Sequence, residues 1–100
     1  METIELIAIT MDYEGKVIEL GFEKAELIVI SEYGSRLWYA NVDGIADSEL
    51  LRRFGQSENI GIELNASAKD GRKFRGSAYL HPNEPHQAAA IRGDGELHMS

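Results

Sequence analysis

Asn59-Ile60-Gly61-Ile62-Glu63-Leu64-Asn65-Ala66-Ser67-Ala68, then Lys69-Asp70-Gly71, then Arg72-Lys73-Phe74-Arg75-Gly76-Ser77-Ala78-Tyr79-Leu80, is two alternating runs around a glycine-bearing loop. If Gly71 is the left-handed residue of a three-residue loop, Ala66 faces Phe74, Leu64 faces Gly76, Ile62 faces Ala78 and Ile60 faces Leu80. That side is wholly apolar and the other is polar. A two-residue Asp70-Gly71 turn would set Leu64 against Ser77 and Ala66 against Arg75, so hydrophobic patterning selects the longer loop. The pattern predicts a small all-β protein.

The other segments extend the same pattern. Ile4 to Met11 and Lys16 to Phe22 alternate on either side of Glu14-Gly15, and a two-residue turn there sets Ile7, Ile9 and Met11 opposite Phe22, Leu20 and Ile18. Leu27 to Ile30 is continuously apolar, as expected for a strand buried on both faces. A turn over Tyr33-Gly34-Ser35-Arg36 would pair Leu27 with Val42, Val29 with Ala40, and Ser31 with Trp38, with Ile30 meeting Tyr39. Asp47 can cap a short helix whose inner side is Leu50, Leu51 and Phe54 and which Gly55 ends in a left-handed conformation. The two prolines make His81-Pro82-Asn83-Glu84-Pro85-His86 a loop. Gln87 to Arg92, Gly93-Asp94-Gly95 and Glu96-Leu97-His98 then read as strand, turn and short strand, although the three alanines suit a helix equally. The expectation is one mainly antiparallel domain over residues 1–100, a small barrel or sandwich of seven to eight short strands with one short α-helix after strand four. Its core should comprise Ile7, Ile9, Leu20, Leu27, Val29, Leu50, Phe54, Ile62, Leu64, Phe74, Ala78 and Leu80.

The chain has 100 residues, 43% of them hydrophobic, which suits one compact core. It lacks cysteine, and Met1-Glu2-Thr3-Ile4-Glu5 lacks the basic start of a signal peptide, so a cytoplasmic location is expected. Its longest apolar run, Leu27 to Ile30, is far short of the about 20 residues needed to cross a bilayer. The net charge of -7 opposes phosphate-backbone attraction and argues against nucleic acid as partner. The charge is nevertheless uneven: residues 1–50 hold eleven acids and three bases, whereas residues 51–100 hold six acids and seven bases. Arg52, Arg53, Lys69, Arg72, Lys73 and Arg75 concentrate the positive charge, which suits an acidic protein partner or the acidic half of a second copy, or serves as a solvated face.

Candidate binding residues are therefore Arg72, Lys73, Arg75, Tyr79, Arg52 and Arg53. Lys73, Arg75 and Tyr79 share the polar face of the third hairpin, while Tyr13, Tyr33 and Trp38 lie near turns. Basic groups mixed with aromatics are what single-stranded nucleic-acid binders use, but Tyr79 opposite Gly61 also serves to cover a bare glycine. His81, Glu84 and His86, with His98, have ligand chemistry, yet their spacing is equally that of an ordered loop with surface histidines, and no metal or other cofactor is expected. Arg92-Gly93-Asp94 reads as turn chemistry, and Asn65-Ala66-Ser67 as a strand rather than a glycosylation acceptor. Glycine-rich phosphate loops, nucleophile elbows and cysteine nucleophiles are absent from the sequence, so binding rather than catalysis is expected.

Asp70-Gly71-Arg72-Lys73-Phe74-Arg75-Gly76-Ser77-Ala78, followed by Ile91-Arg92-Gly93-Asp94-Gly95-Glu96-Leu97, resembles the endings of some phage tail-tube and related virion β-proteins. The resemblance covers about the last third of the chain and implies ring-forming assembly through sheet edges. Three functions follow in order of preference: a non-enzymatic accessory module acting by protein–protein contact, a structural subunit of a phage-type virion or similar assembly, and a weak single-stranded nucleic-acid binder.

Overall fold

The computed structural model describes residues 1–32 and 35–99, apart from the side chains of Glu32, Ser35 and Arg36. The strands are β1 (Glu2–Tyr13), β2 (Lys16–Leu20), β3 (Lys24–Glu32), β4 (Ser35–Asp43), β5 (Gly61–Ala68), β6 (Lys73–Asn83), β7 (Ala88–Gly93) and β8 (His98–Met99). One helix, α1 (Ser48–Gln56), lies between β4 and β5. The antiparallel order β1-β3-β4-β7-β6-β5 closes through β1–β5 pairing into a six-strand barrel, with β2 and β8 as additions on β1 and β6. The expected all-β fold is therefore present as a barrel rather than a sandwich.

The β5–β6 hairpin has the register that its apolar alternation demands: Ala66 opposes Phe74, Leu64 opposes Gly76 and Ile62 opposes Ala78. Its tip is closed by the Ala68 N–H donating to the Arg72 carbonyl at 2.8 Å, and Gly71 has φ +95°. Nothing lies within 4 Å of a Cβ placed on Gly71, so a side chain there meets only backbone strain. Gly71→Val should lower stability by at least about 1 kcal/mol in urea titrations. An unchanged midpoint would show that the loop needs no left-handed residue.

The first hairpin also pairs as expected, Ile9 with Leu20 and Met11 with Ile18, but Ile7 does not join the core. Between Leu6 opposite Ala68 and Ala8 opposite Ser67 the ladder shifts, and Ile7 is the extra residue of a β-bulge, 61% exposed. The bulge reverses the parity of β1. Ile4 and Leu6 point inward before it, and Ile9, Met11 and Tyr13 after it.

In the β3–β4 hairpin Leu27 opposes Ala40, Val29 opposes Trp38 and Ser31 opposes Arg36, a register two residues away from the expected one. Ile30 accordingly meets Leu37 and not Tyr39. A shift by two preserves facing, so the same side chains remain inside. The turn expected over Tyr33-Gly34-Ser35-Arg36 falls on Tyr33 and Gly34, outside the described residues. Burial of β3 on both faces is observed: Leu27 and Val29 lie in the core, and Ile28, pointing outward, is also buried.

Asp47 caps α1 by accepting the Leu50 N–H, and Leu50, Leu51 and Phe54 face inward. Gly55 does not end the helix: α1 runs to Gln56, and extended Ser57 returns its N–H to the Phe54 carbonyl. The ends of β1, β4 and β6 and the starts of β3, β5 and β7 meet at this end of the barrel, which α1 covers. Trp38 closes the other end. Its ring takes the space that Cβ atoms on Gly76 and Gly93 would need, and its indole N–H donates to the Gly95 carbonyl at 3.1 Å.

His81, Pro82 and Asn83 belong to β6 rather than to a loop, pairing with Ala90, Ala89 and Ala88; a 3-10 turn, Glu84–His86, follows. Leu80 donates its N–H towards Ile60. Two residues on, the nitrogen of Pro82 points the same way, past the start of β5, where no ladder donor is needed. The expected strand after the loop is present as Ala88–Gly93, without Gln87, which is left-handed, and the last short strand is His98–Met99 rather than Glu96 to His98 and pairs with β6.

Candidate functional site

The structure divides the six candidate binding residues among four places. Arg72, at the third hairpin's tip, holds Asp70 at 2.7 Å and Glu2 at 3.1 Å, with its guanidinium 5.6 Å from the centre of the Phe74 ring. Hydrogen bonds from Arg72 hold the Asp70 carboxyl below its ordinary pKa, and the same contacts, with Glu2, raise the Arg72 guanidinium above its own. Lys69 reaches Glu5 at 3.7 Å. The acid-rich first half of the chain thus answers the basic tip within the same molecule. Arg52 pairs with Glu84 at 3.1 Å, and it and exposed Arg53 ride on α1, at the opposite end of the barrel from that tip. Together these six side chains do not make one basic face.

Lys73 and Arg75 do share a surface. Two rows cross the outside of β1, β5 and β6: Ala8, Ser67, Lys73 in one and Thr10, Asn65, Arg75 in the next. Arg75 has His98 of β8 on its other side. These rows line a cleft of about 270 Å³ without a carboxylate among its described lining residues.

Tyr79 belongs to a different row, in which Gly61, Tyr79, Arg92, Tyr39 and Ile28 succeed one another across β5, β6, β7, β4 and β3. Its ring lies 3.9 Å from a Cβ placed on Gly61, so it does cover that glycine. Interaction of its hydroxyl with Asp94, hydrogen bonding first and negative charge second, raises the phenol's pKa. Arg92 stands between two tyrosines, and beside it opens a groove of about 440 Å³ lined by Ile30, Leu37, Tyr39, Asn41 and Ala90 among others. Leu37 is 66% exposed there. Leu37, Tyr39 and Arg92 were not among the sequence candidates. A two-residue error in the β3–β4 register hid the Ile30–Leu37 pair, and pairing of β4 with β7 joins segments too distant in sequence for local pattern to reveal.

Two aromatics considered as surface groups are interior. Tyr13 packs on Phe54 with ring centres 4.4 Å apart and donates its hydroxyl to the Asn59 carbonyl at 2.7 Å, and Trp38 is 4% exposed. Neither can stack a base. Tyr33 lies outside the described residues. His81 projects from β6, and Glu84 is the partner of Arg52; among the described residues no three His, Asp or Glu side chains gather as metal ligands. Among the described residues no helix is long and apolar enough to cross a membrane.

The chain matches no protein-family model, no curated protein and no solved structure. The likeness of its C-terminal third to phage tail-tube proteins therefore rests only on the residues quoted for it.

Proposed function

We propose that this barrel is a non-enzymatic binding module that works by contact with another protein, whose docking segment carries a carboxylate among apolar side chains. The observation that carries this reading is the groove between Leu37 and Arg92. Arg92 is the one charged residue among its described lining, and an arginine covered by a partner requires a carboxylate to replace its water. Tyr39 and Arg92 in this lining are also of the residue types in which interface hot spots are enriched.

Peptides selected from a random display library on the wild-type chain test the reading. They should combine an aspartate or glutamate with apolar neighbours and bind Leu37→Asp and Arg92→Glu at least about tenfold more weakly, equivalent to about 1.4 kcal/mol. Both positions are on the outer face, so the variants should keep the wild-type circular dichroism. Peptides without a carboxylate, or with equal affinity for both variants, would overturn it. Rings or polymers of the wild-type chain that Leu37→Asp dissolves in sedimentation velocity would replace it with the structural-subunit function.

A further inference from the structure

We propose that the outer surface of β1, β5 and β6 holds a second site, independent of the Leu37–Arg92 groove, which binds the phosphate group of a small phosphomonoester. Thr10, Asn65 and Arg75 occupy one cross-strand row, and Ala8, Ser67 and Lys73 the adjacent one. Neighbouring strands lie about 4.8 Å apart and same-face rows about 6.7 Å apart, so these donors surround a patch of phosphate size. Lys73 and Arg75 form one side. The Asn65 amide and Ser67 hydroxyl lie in the middle, the Thr10 hydroxyl opposite, and Ala8 leaves room in the corner for an anion to sit close to the sheet.

The hydrogen bonding sets this patch apart from its surroundings. Next to it Ser77 donates to Glu63 at 2.9 Å, Lys69 pairs with Glu5, and Arg72 is shared between Asp70 and Glu2. Among the described residues, Thr10, Asn65, Ser67, Lys73 and Arg75 make no side-chain hydrogen bond or ion pair with one another or with any neighbour. Five adjacent polar side chains are thus left open to an external acceptor, beside a hairpin tip whose cations Lys69 and Arg72 are answered by the protein's own carboxylates. Two cations, an amide and two hydroxyls offer more donors than the two oxygens of a carboxylate can accept. The three terminal oxygens of a phosphomonoester match them, and the planar guanidinium of Arg75 suits two of those oxygens at once.

The test is a titration of the isotope-labelled full chain followed by amide NMR shifts, with glycerol phosphate, acetate and a single-stranded oligonucleotide as probes. Glycerol phosphate should move the amides of residues 8–10, 65–67 and 73–75 and bind at least about tenfold more tightly than acetate. Lys73→Gln with Arg75→Gln should abolish the effect while leaving the thermal melt in place, both side chains being exposed. Asn65→Ala, which keeps both cations, should weaken binding several-fold, a loss that charge attraction alone would not produce. Shifts scattered over all arginines including Arg53, equal binding of acetate, or indifference to Asn65→Ala would each overturn the site. So would oligonucleotide binding without glycerol phosphate binding, which would mark an extended backbone groove. Leu37→Asp leaves these donors untouched, so a failed groove and a failed phosphate site give different results.

Discussion

Truncating Phe54 to alanine should lower the unfolding free energy by about 3–5 kcal/mol, a large share of the about 5–15 kcal/mol typical of a small domain. Phe54 is 1% exposed and lies on the inner side of the helix that covers one barrel end. Its ring meets Tyr13 at 4.4 Å between centres and 36° between planes, a tilted pairing that adds to the area it buries. The Tyr13 hydroxyl is tied to the Asn59 carbonyl and bonded to Ser57, so the tyrosine is not free to follow a shrunken neighbour. The cavity left by the ring therefore persists, and retained cavities give the upper end of truncation costs. Urea midpoints of Phe54→Ala against Arg53→Ala, on the exposed side of the same turn, provide the measurement. A difference below about 1 kcal/mol would show that α1 lies on the barrel without closing it.

Leu64→Ala should cost about 2–5 kcal/mol. Leu64 has no exposed surface and sits in a row between Met11 of β1 and Gly76 of β6. Gly76 cannot fill the void, because its Cβ position is already occupied by Trp38, 2.8 Å from the nearest ring carbon. Three hydrogen-bonded strands hold the surrounding wall, which limits collapse. Asn65→Ala, on the outward face of the same strand, should stay within about 0.5 kcal/mol of wild type. Equal midpoints for the two variants would mean that the hairpin faces the other way.

Where the decisive information was local, it was legible. The β5–β6 register follows from alternation on both sides of one loop, because only a three-residue connection puts Leu64 and Phe74 on the same face. The helix start follows from Asp47 and its inner side from the spacing of Leu50, Leu51 and Phe54. Its end did not follow, since Gly55 is compatible with helix and the stop comes from extended Ser57. The candidate sites were legible only in part. Lys73 and Arg75 were found on their own hairpin, but the Thr10 that completes their patch comes from β1, and the long-range partners of Arg72 and Lys69, Glu2 and Glu5, come from the chain's first five residues.

By itself the sequence determined the strand alternation, the glycine in the third hairpin's loop, the helix cap and the charge imbalance, because each depends on neighbours a few bonds away. Tertiary structure alone decided the rest. Ile7 is outside because pairing of β1 with β5 inserts a bulge there; Pro82 is tolerated because β5 begins too late to need its missing N–H. Trp38 is inside because glycines at positions 76 and 93 leave room for its ring, and Arg92 stands between Tyr79 and Tyr39 because the barrel closes β7 between β6 and β4. A long-range pair forms only when the whole set of strands closes together, so no single segment carries the information for it.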